Sequence, residues 1–140
     1  MPIRCEIVSQ DRMVYQGEVD SVLLPGAAGE MGILPHHSPV LTVLKFGVVR
    51  VRSKGEDQFF TVAGGVAEVQ PDQVTILADA AENVAEIDIQ RAEQARQSAE
   101  QALKEGVGPD MDSYLKIQTT LRRSNLRLNA VKRYRQGRRS

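Results

Sequence analysis

The two histidines of the chain stand side by side in Gly32-Ile33-Leu34-Pro35-His36-His37-Ser38-Pro39, beside a serine and between two prolines. Histidine titrates near neutral pH and is the commonest metal ligand. Three chemistries therefore come into question: metal binding, nucleophilic catalysis by Ser38, and proton transfer. Spacing argues against them. Neighbouring residues of an extended strand point to opposite faces, so His36 and His37 do not readily serve one ion. A zinc site takes at least three protein ligands, and the only cysteine, Cys5, lies far upstream. A serine nucleophile needs a base and an orienting acid in space, and Ser38 beside His37 is adjacency alone. The segment reads as a loop with one partly exposed histidine, with no catalytic residue and no metal ligand. Gly64-Gly65 lacks both phosphate-loop patterns and reads as a tight strand connection.

The arginines offer a second chemistry. Arg123 and Arg127 are four apart and share a helix face. Arg91 and Arg96 belong to a preceding helix, and in an antiparallel pair the start of one helix meets the end of the other. Arg91 then approaches Arg127, with Asp88 and Glu82 as the nearby acids. Guanidinium forks suit phosphate oxygens, so an anion between the helices is one reading. A solvated or partner-facing basic helix is the other.

The elements that must hold these residues change period once along the 140 residues. Up to about residue 79 apolar residues alternate in short stretches: Ile3, Cys5 and Ile7, then Val49 and Val51, then Phe60 and Val62. Turn signals separate them, among them Pro25-Gly26, Lys54-Gly55, Gly64-Gly65 and Pro71-Asp72. Short strands with frequent turns predict a sandwich or barrel. Cys5, in phase with Ile3 and Ile7, is expected as a small buried hydrophobe. No apolar run approaches the ~20 residues of a membrane span, and the start has neither signal-peptide nor transit-peptide character.

After residue 82 the period is helical. Ala92, Ala95, Ala99 and Ala102 form an alanine stripe. The segment 104–110, with Gly106 and Pro109, stops that helix. A second helix is expected from an N-cap near Asp112, with the seam Tyr114, Ile117, Leu121, Ser124, Leu128 and Val131. The expected fold is α+β: an antiparallel β-sandwich over residues 1–82, then an antiparallel helical hairpin over 83–140. Alanines bury little area at ~25 cal/mol per Å², and Ser124 interrupts the larger stripe, so the hairpin is expected to be marginal and switchable by a ligand. Net charge is zero, yet residues 113–140 carry nine basic and no acidic side chains, so an acidic body bears a basic tail. That asymmetry points to an anionic partner: nucleic acid, a nucleotide, or an acidic protein surface.

Two stretches, GEMGILPHHSPVLTVLKFGVVRV and GGVAEVQPDQVTILAD, strongly resemble the epsilon subunit family of the rotary F-type ATP synthase, and the order of sandwich and hairpin matches over essentially the whole chain. The resemblance implies a non-catalytic rotor subunit of a proton-translocating synthase, with no required cofactor. Its sandwich, of about ten strands, is implied to clasp the gamma subunit and rest on the c-subunit ring. Its hairpin is implied either to fold down or to extend along gamma toward the alpha and beta subunits, where it inhibits ATP hydrolysis. The membrane association implied is peripheral and through the complex, at the cytoplasmic face of the bacterial inner membrane.

Residue by residue, the resemblance assigns Glu30 to the polar loops of the c ring and His37 to a rotor-facing loop. Ile87-Asp88-Ile89-Gln90-Arg91-Ala92 matches a family motif that binds ATP as a regulatory ligand in several bacterial members. Glu82 precedes it at the family spacing, and Arg123 and Arg127 match the second-helix arginines that complete the site. Some ATP-binding members carry a further arginine where this chain has Ser98. Arg122, Arg123, Arg127, Lys132, Arg133 and Arg135 are expected to meet acidic surfaces of the beta subunits. The alternatives are a coupling subunit that neither binds ATP nor inhibits, and a nucleic-acid-binding module using the basic helix, which has few interleaved aromatics for that role.

Overall fold

The computed structural model describes residues 2–106 and 110–135, so part of the expected helix stop, including Pro109, lies outside the described residues. The chain divides into two units, Met1–Val84 and Ala85–Ser140.

The first unit holds eight strands among the described residues: β1 (Ile3–Val8), β2 (Met13–Val19), β3 (Ser21–Gly26), β4 (Gly29–Ile33), β5 (Val40–Ser53), β6 (Glu56–Val69), β7 (Gln73–Ala78) and β8 (Ala81–Asn83). Their order is β2-β1-β7-β6-β5-β3-β4, with β8 on β6. Every ladder is antiparallel apart from β1 with β7, which is parallel. The resemblance implies about ten strands; β5 and β6 account for the difference, because each is long enough to serve both layers of the sandwich. The first half of β5 pairs with the second half of β6, and that layer continues through β7 and β1 to β2. The second half of β5 pairs with β3 and with the first half of β6, which also carries β8.

Gly64-Gly65 is therefore not a strand connection. It sits inside β6, at the passage between layers. Gly65 has φ 124°, and a Cβ there would lie 2.2 Å from the Leu77 carbonyl oxygen. Only a residue without a side chain permits that approach to the backbone of β7. The true connection between β5 and β6 is Lys54-Gly55, with φ 54° and 80°, the left-handed pair that a two-residue hairpin turn requires. Asp57 closes this hairpin by accepting from Arg52 Nε at 2.7 Å and Nη2 at 3.1 Å.

The alternating strand residues form the core. Phe60, Ile3, Ile7, Leu24, Ile33 and Ile76 are fully buried, and Tyr15 leans on Phe60 with ring centroids 5.2 Å apart. Cys5 is buried in phase with Ile3 and Ile7. Burial pushes its thiol up to about 12, with Glu6 adding to the shift, so it is no nucleophile at neutral pH.

The second unit is a pair of helices, α1 (Ile89–Glu105) and α2 (Met111–Ala130), the latter ending in a π turn, Val131–Arg135. The pair runs antiparallel: Arg135 Nη2, at the end of α2, donates to the Ile87 carbonyl at the start of α1, 2.9 Å away. The N-cap of α2 is Asp110, not Asp112; its carboxylate accepts from the Asp112 amide at 3.0 Å. Asp112 occupies the first turn, where a negative charge suits the helix dipole. Of the expected seams, Ala92, Ala99 and Val131 are buried. Ile117, Leu121 and Leu128 are half-buried and Tyr114 is exposed. Ser124 does not break the seam. It is buried, and its hydroxyl donates to the Thr120 carbonyl at 2.8 Å, so the polar group is satisfied within the helix.

Candidate functional site

The segment Ile87–Ala92 has a plain local mechanics. Asp88 is the N-cap of α1, and its carboxylate accepts from the Arg91 amide at 3.0 Å. The Asp88 carbonyl takes the first ladder bond, from the Ala92 amide at 3.0 Å. Ile87 just before the cap and Ala92 at the fourth helical position are both buried, which is the placing of a hydrophobic staple. Four of the expected ATP residues thus lie within six residues at the start of α1, and three of them, with the Arg91 amide, set that start. The Arg91 side chain is exposed.

Arg96 is committed elsewhere. It bonds Glu93 and Glu100 along α1, with Nε to Glu93 at 3.1 Å, and the Arg96 bond lowers the pKa of Glu93. On α2, Arg123 is exposed and lines a shallow groove with Leu115, Lys116, Thr119 and Thr120, while Arg127 is half-buried. Arg122, Lys132 and Arg133 are exposed, and the Arg133 guanidinium stands 5.3 Å from the centroid of the Tyr134 ring. Arg135 differs from them: it is half-buried and turned to the Ile87 carbonyl. Glu82 belongs to the first unit, on β8 opposite Thr61, whose hydroxyl donates to the Glu82 carbonyl at 3.4 Å.

The histidine loop follows β4. His36 has φ 67°, and its amide donates to the Pro71 carbonyl at 2.8 Å. His37 is half-buried, with Nδ1 2.8 Å from the Ser38 carbonyl. The two rings do not converge on a common ligand set: among the described residues no group of three His, Cys, Asp or Glu side chains is placed to hold a metal ion. Glu30 is exposed on β4, opposite Pro25. Gly32 lies two residues on, and a Cβ there would meet nothing.

A surface that the sequence pattern does not reveal appears on the outer face of one layer. Val43 pairs with Val66, Val66 with Leu77, Leu77 with Val8, and Val8 with Met13, an apolar row across five strands. Val43, Leu77 and Met13 are 60%, 51% and 47% exposed, and Leu41 on the adjoining row is 70% exposed. Single exposed apolar residues are ordinary, whereas a contiguous row marks an interaction surface. Its signal is register. In the sequence these residues are scattered, and only strand pairing aligns them.

Residues 2–84 match the family profile of the ATP synthase delta/epsilon chain beta-sandwich domain, and residues 85–132 that of the delta/epsilon chain long alpha-helix domain. An ATP synthase epsilon chain of Herpetosiphon aurantiacus is 44% identical over 132 residues, covering 94% of this chain and 96% of its own. Another, of Nitrosococcus oceani, is 42% identical over 136 residues, covering 96% of each. In fold, the chain is similar to one in the Euglena gracilis mitochondrial ATP synthase OSCP/F1/c-ring structure. That match has a TM-score of 0.74 at 23% identity over 93% of this chain and 81% of that one. A chain of the Tetrahymena thermophila mitochondrial ATP synthase central stalk/c-ring matches with a TM-score of 0.56 at 12% identity, over 94% and 97%.

Proposed function

The chain belongs to the ATP synthase delta/epsilon chain family, and on that premise we propose that it works as the epsilon subunit in the rotor of a proton-translocating F-type ATP synthase. It is a non-catalytic part that couples ion flow to synthesis elsewhere in the complex. The observation that carries this reading is the apolar row Val43–Val66–Leu77–Val8–Met13. A subunit held in a rotor needs a face that stays covered, and the gamma subunit is its partner there. Leu77→Asp tests this. The side chain is exposed, so the sandwich keeps its melting temperature, while affinity for gamma falls at least tenfold. Unchanged affinity would place the gamma contact elsewhere.

Glu30 serves the polar loops of the c ring, and His37, in the loop that follows β4, meets the rotor. Gly32 supports this: a glycine inside a strand carries a cost, and here no φ and no contact within the chain asks for it. A neighbouring backbone seated against Gly32 gives it a reason. The location follows, at the cytoplasmic face of the bacterial inner membrane and through the complex. No described helix is long and apolar enough to cross the membrane.

The hairpin regulates hydrolysis by opening toward the alpha and beta subunits, with Arg122, Lys132 and Arg133 as its partner-facing charges. Deleting residues 113–140 then raises ATP hydrolysis by the assembled enzyme, and unchanged hydrolysis would remove this role. ATP, bound through Glu82, Ile87, Asp88, Arg91, Ala92, Arg123 and Arg127, favours the closed hairpin by mass action. One observation favours the second reading, a coupling subunit without ATP: Ile87, Asp88 and Ala92 already have a full role in starting α1. Calorimetric titration of the isolated chain separates the two. Binding that is lost in Arg91→Ala and Arg127→Ala supports the site; no binding at millimolar ATP removes it and, together with unchanged hydrolysis after the deletion, leaves a coupling subunit that neither binds ATP nor inhibits.

A further inference from the structure

We propose that Arg135 is a latch that holds the helical hairpin closed, so that it opposes the open state in which its cationic neighbours act. This rests on the reading above that the open hairpin inhibits hydrolysis. The Ile87 carbonyl lies one residue before the N-cap. The ladder of α1 starts with the Asp88 carbonyl, which receives the Ala92 amide. The Ile87 carbonyl is thus outside the ladder, on a residue only 3% exposed. A polar backbone group in such a place needs a partner. Arg135 supplies it from 48 residues away, with Nη2 at 2.9 Å. The bond joins the two ends of the hairpin away from its connecting loop and exists only while they are together.

Two features give the bond weight. The buried residues of the helices, π turn included, are Ala92, Ala99, Ser124, Ala130 and Val131, mostly small, so side-chain burial between α1 and α2 is thin, and one charge-assisted bond is a large share of what closes them. The segment Val131–Arg135 is also a π turn, an arrangement frequent at functional sites. Lys132 and Arg133 are exposed while Arg135 is half-buried. Opening the hairpin would release the Arg135 charge beside the other two. The same five residues then hold the charges for the open state and the restraint against reaching it.

The test uses the full chain with Arg135→Gln, and two shortened chains ending at Arg135 and at Tyr134. Amide exchange of Arg91 and Ala92, which lie on the opposite helix, reports closure without interference from fraying of α2. Arg135→Gln and the chain ending at Tyr134 are expected to speed that exchange about tenfold, the factor for loss of a bond of this class; the chain ending at Arg135 leaves it unchanged. In the assembled enzyme, Arg135→Gln lowers ATP hydrolysis further, the opposite sign to deletion of residues 113–140. Unchanged exchange in Arg135→Gln overturns the latch. So does faster hydrolysis in that variant, which would make Arg135 one more partner-facing charge. Faster exchange with unaltered hydrolysis leaves the latch standing and removes the inhibitory reading instead.

Discussion

The sandwich and the hairpin are built from side chains of different size. The sandwich encloses Phe60, Ile3, Ile7, Leu24, Ile33 and Ile76 with no exposure, whereas the helices bury alanines, one serine and Val131. Burying a large apolar side chain contributes ~1.5–3 kcal/mol, and an alanine far less. Stability is therefore concentrated in the sandwich, and the hairpin is held by small contacts and by bonds at its ends.

The largest effect expected from breaking this contrast is Phe60→Ala. It should cost the sandwich about 3–5 kcal/mol, read as a lower urea midpoint, while the exchange of Arg91 and Ala92 amides stays as it was. Alkaline pH should come next. The Cys5 thiol is raised by burial to about 12 in the folded chain, so its contribution is complete below the unfolded thiol value. It is lost as pH rises from there toward 12. Denaturation midpoints should fall over that window, and Cys5→Ala should flatten the fall. Asp88→Ala removes the N-cap of α1 and should cost about 1 kcal/mol, visible as faster exchange at Arg91 with no movement of the sandwich midpoint. The smallest effect is His36→Gly. A left-handed φ of 67° suits glycine, and the variant should stabilise the sandwich by about 0.5 kcal/mol, read as a slightly higher urea midpoint.

Much of this contrast is legible in the sequence. Alternation of Ile3, Cys5 and Ile7 places a core face, and the alanine spacing of Ala92 and Ala99 places a seam, because both depend only on local period. Gly64-Gly65 misleads for a physical reason. A glycine pair that ends a strand and one that lets a strand cross between layers look alike until the Leu77 carbonyl is found against it. The expected N-cap slips from Asp110 to Asp112 because both are aspartates at a helix start. The apolar row escapes notice because Val8, Met13, Val43, Val66 and Leu77 are neighbours only through register. Arg135 reads as one more charge in a basic tail, since its distinction is a tertiary bond to Ile87. The site motif is legible as a pattern, but its service as cap and staple is visible only in the geometry.

The passage of β5 and β6 through both layers has a mechanical consequence. Two sheets joined only by side-chain packing slide over one another under load. Here a single ribbon of two 14-residue strands, about 46 Å at ~3.3 Å per residue, belongs to both. Sideways force on the Val43 end reaches the Lys54-Gly55 end along covalent backbone and paired amides. Shear between the layers would have to tear that ribbon. The sandwich is thereby a torsion-resistant block, and its twin glycines are the bend that keeps one continuous beam inside a folded shape.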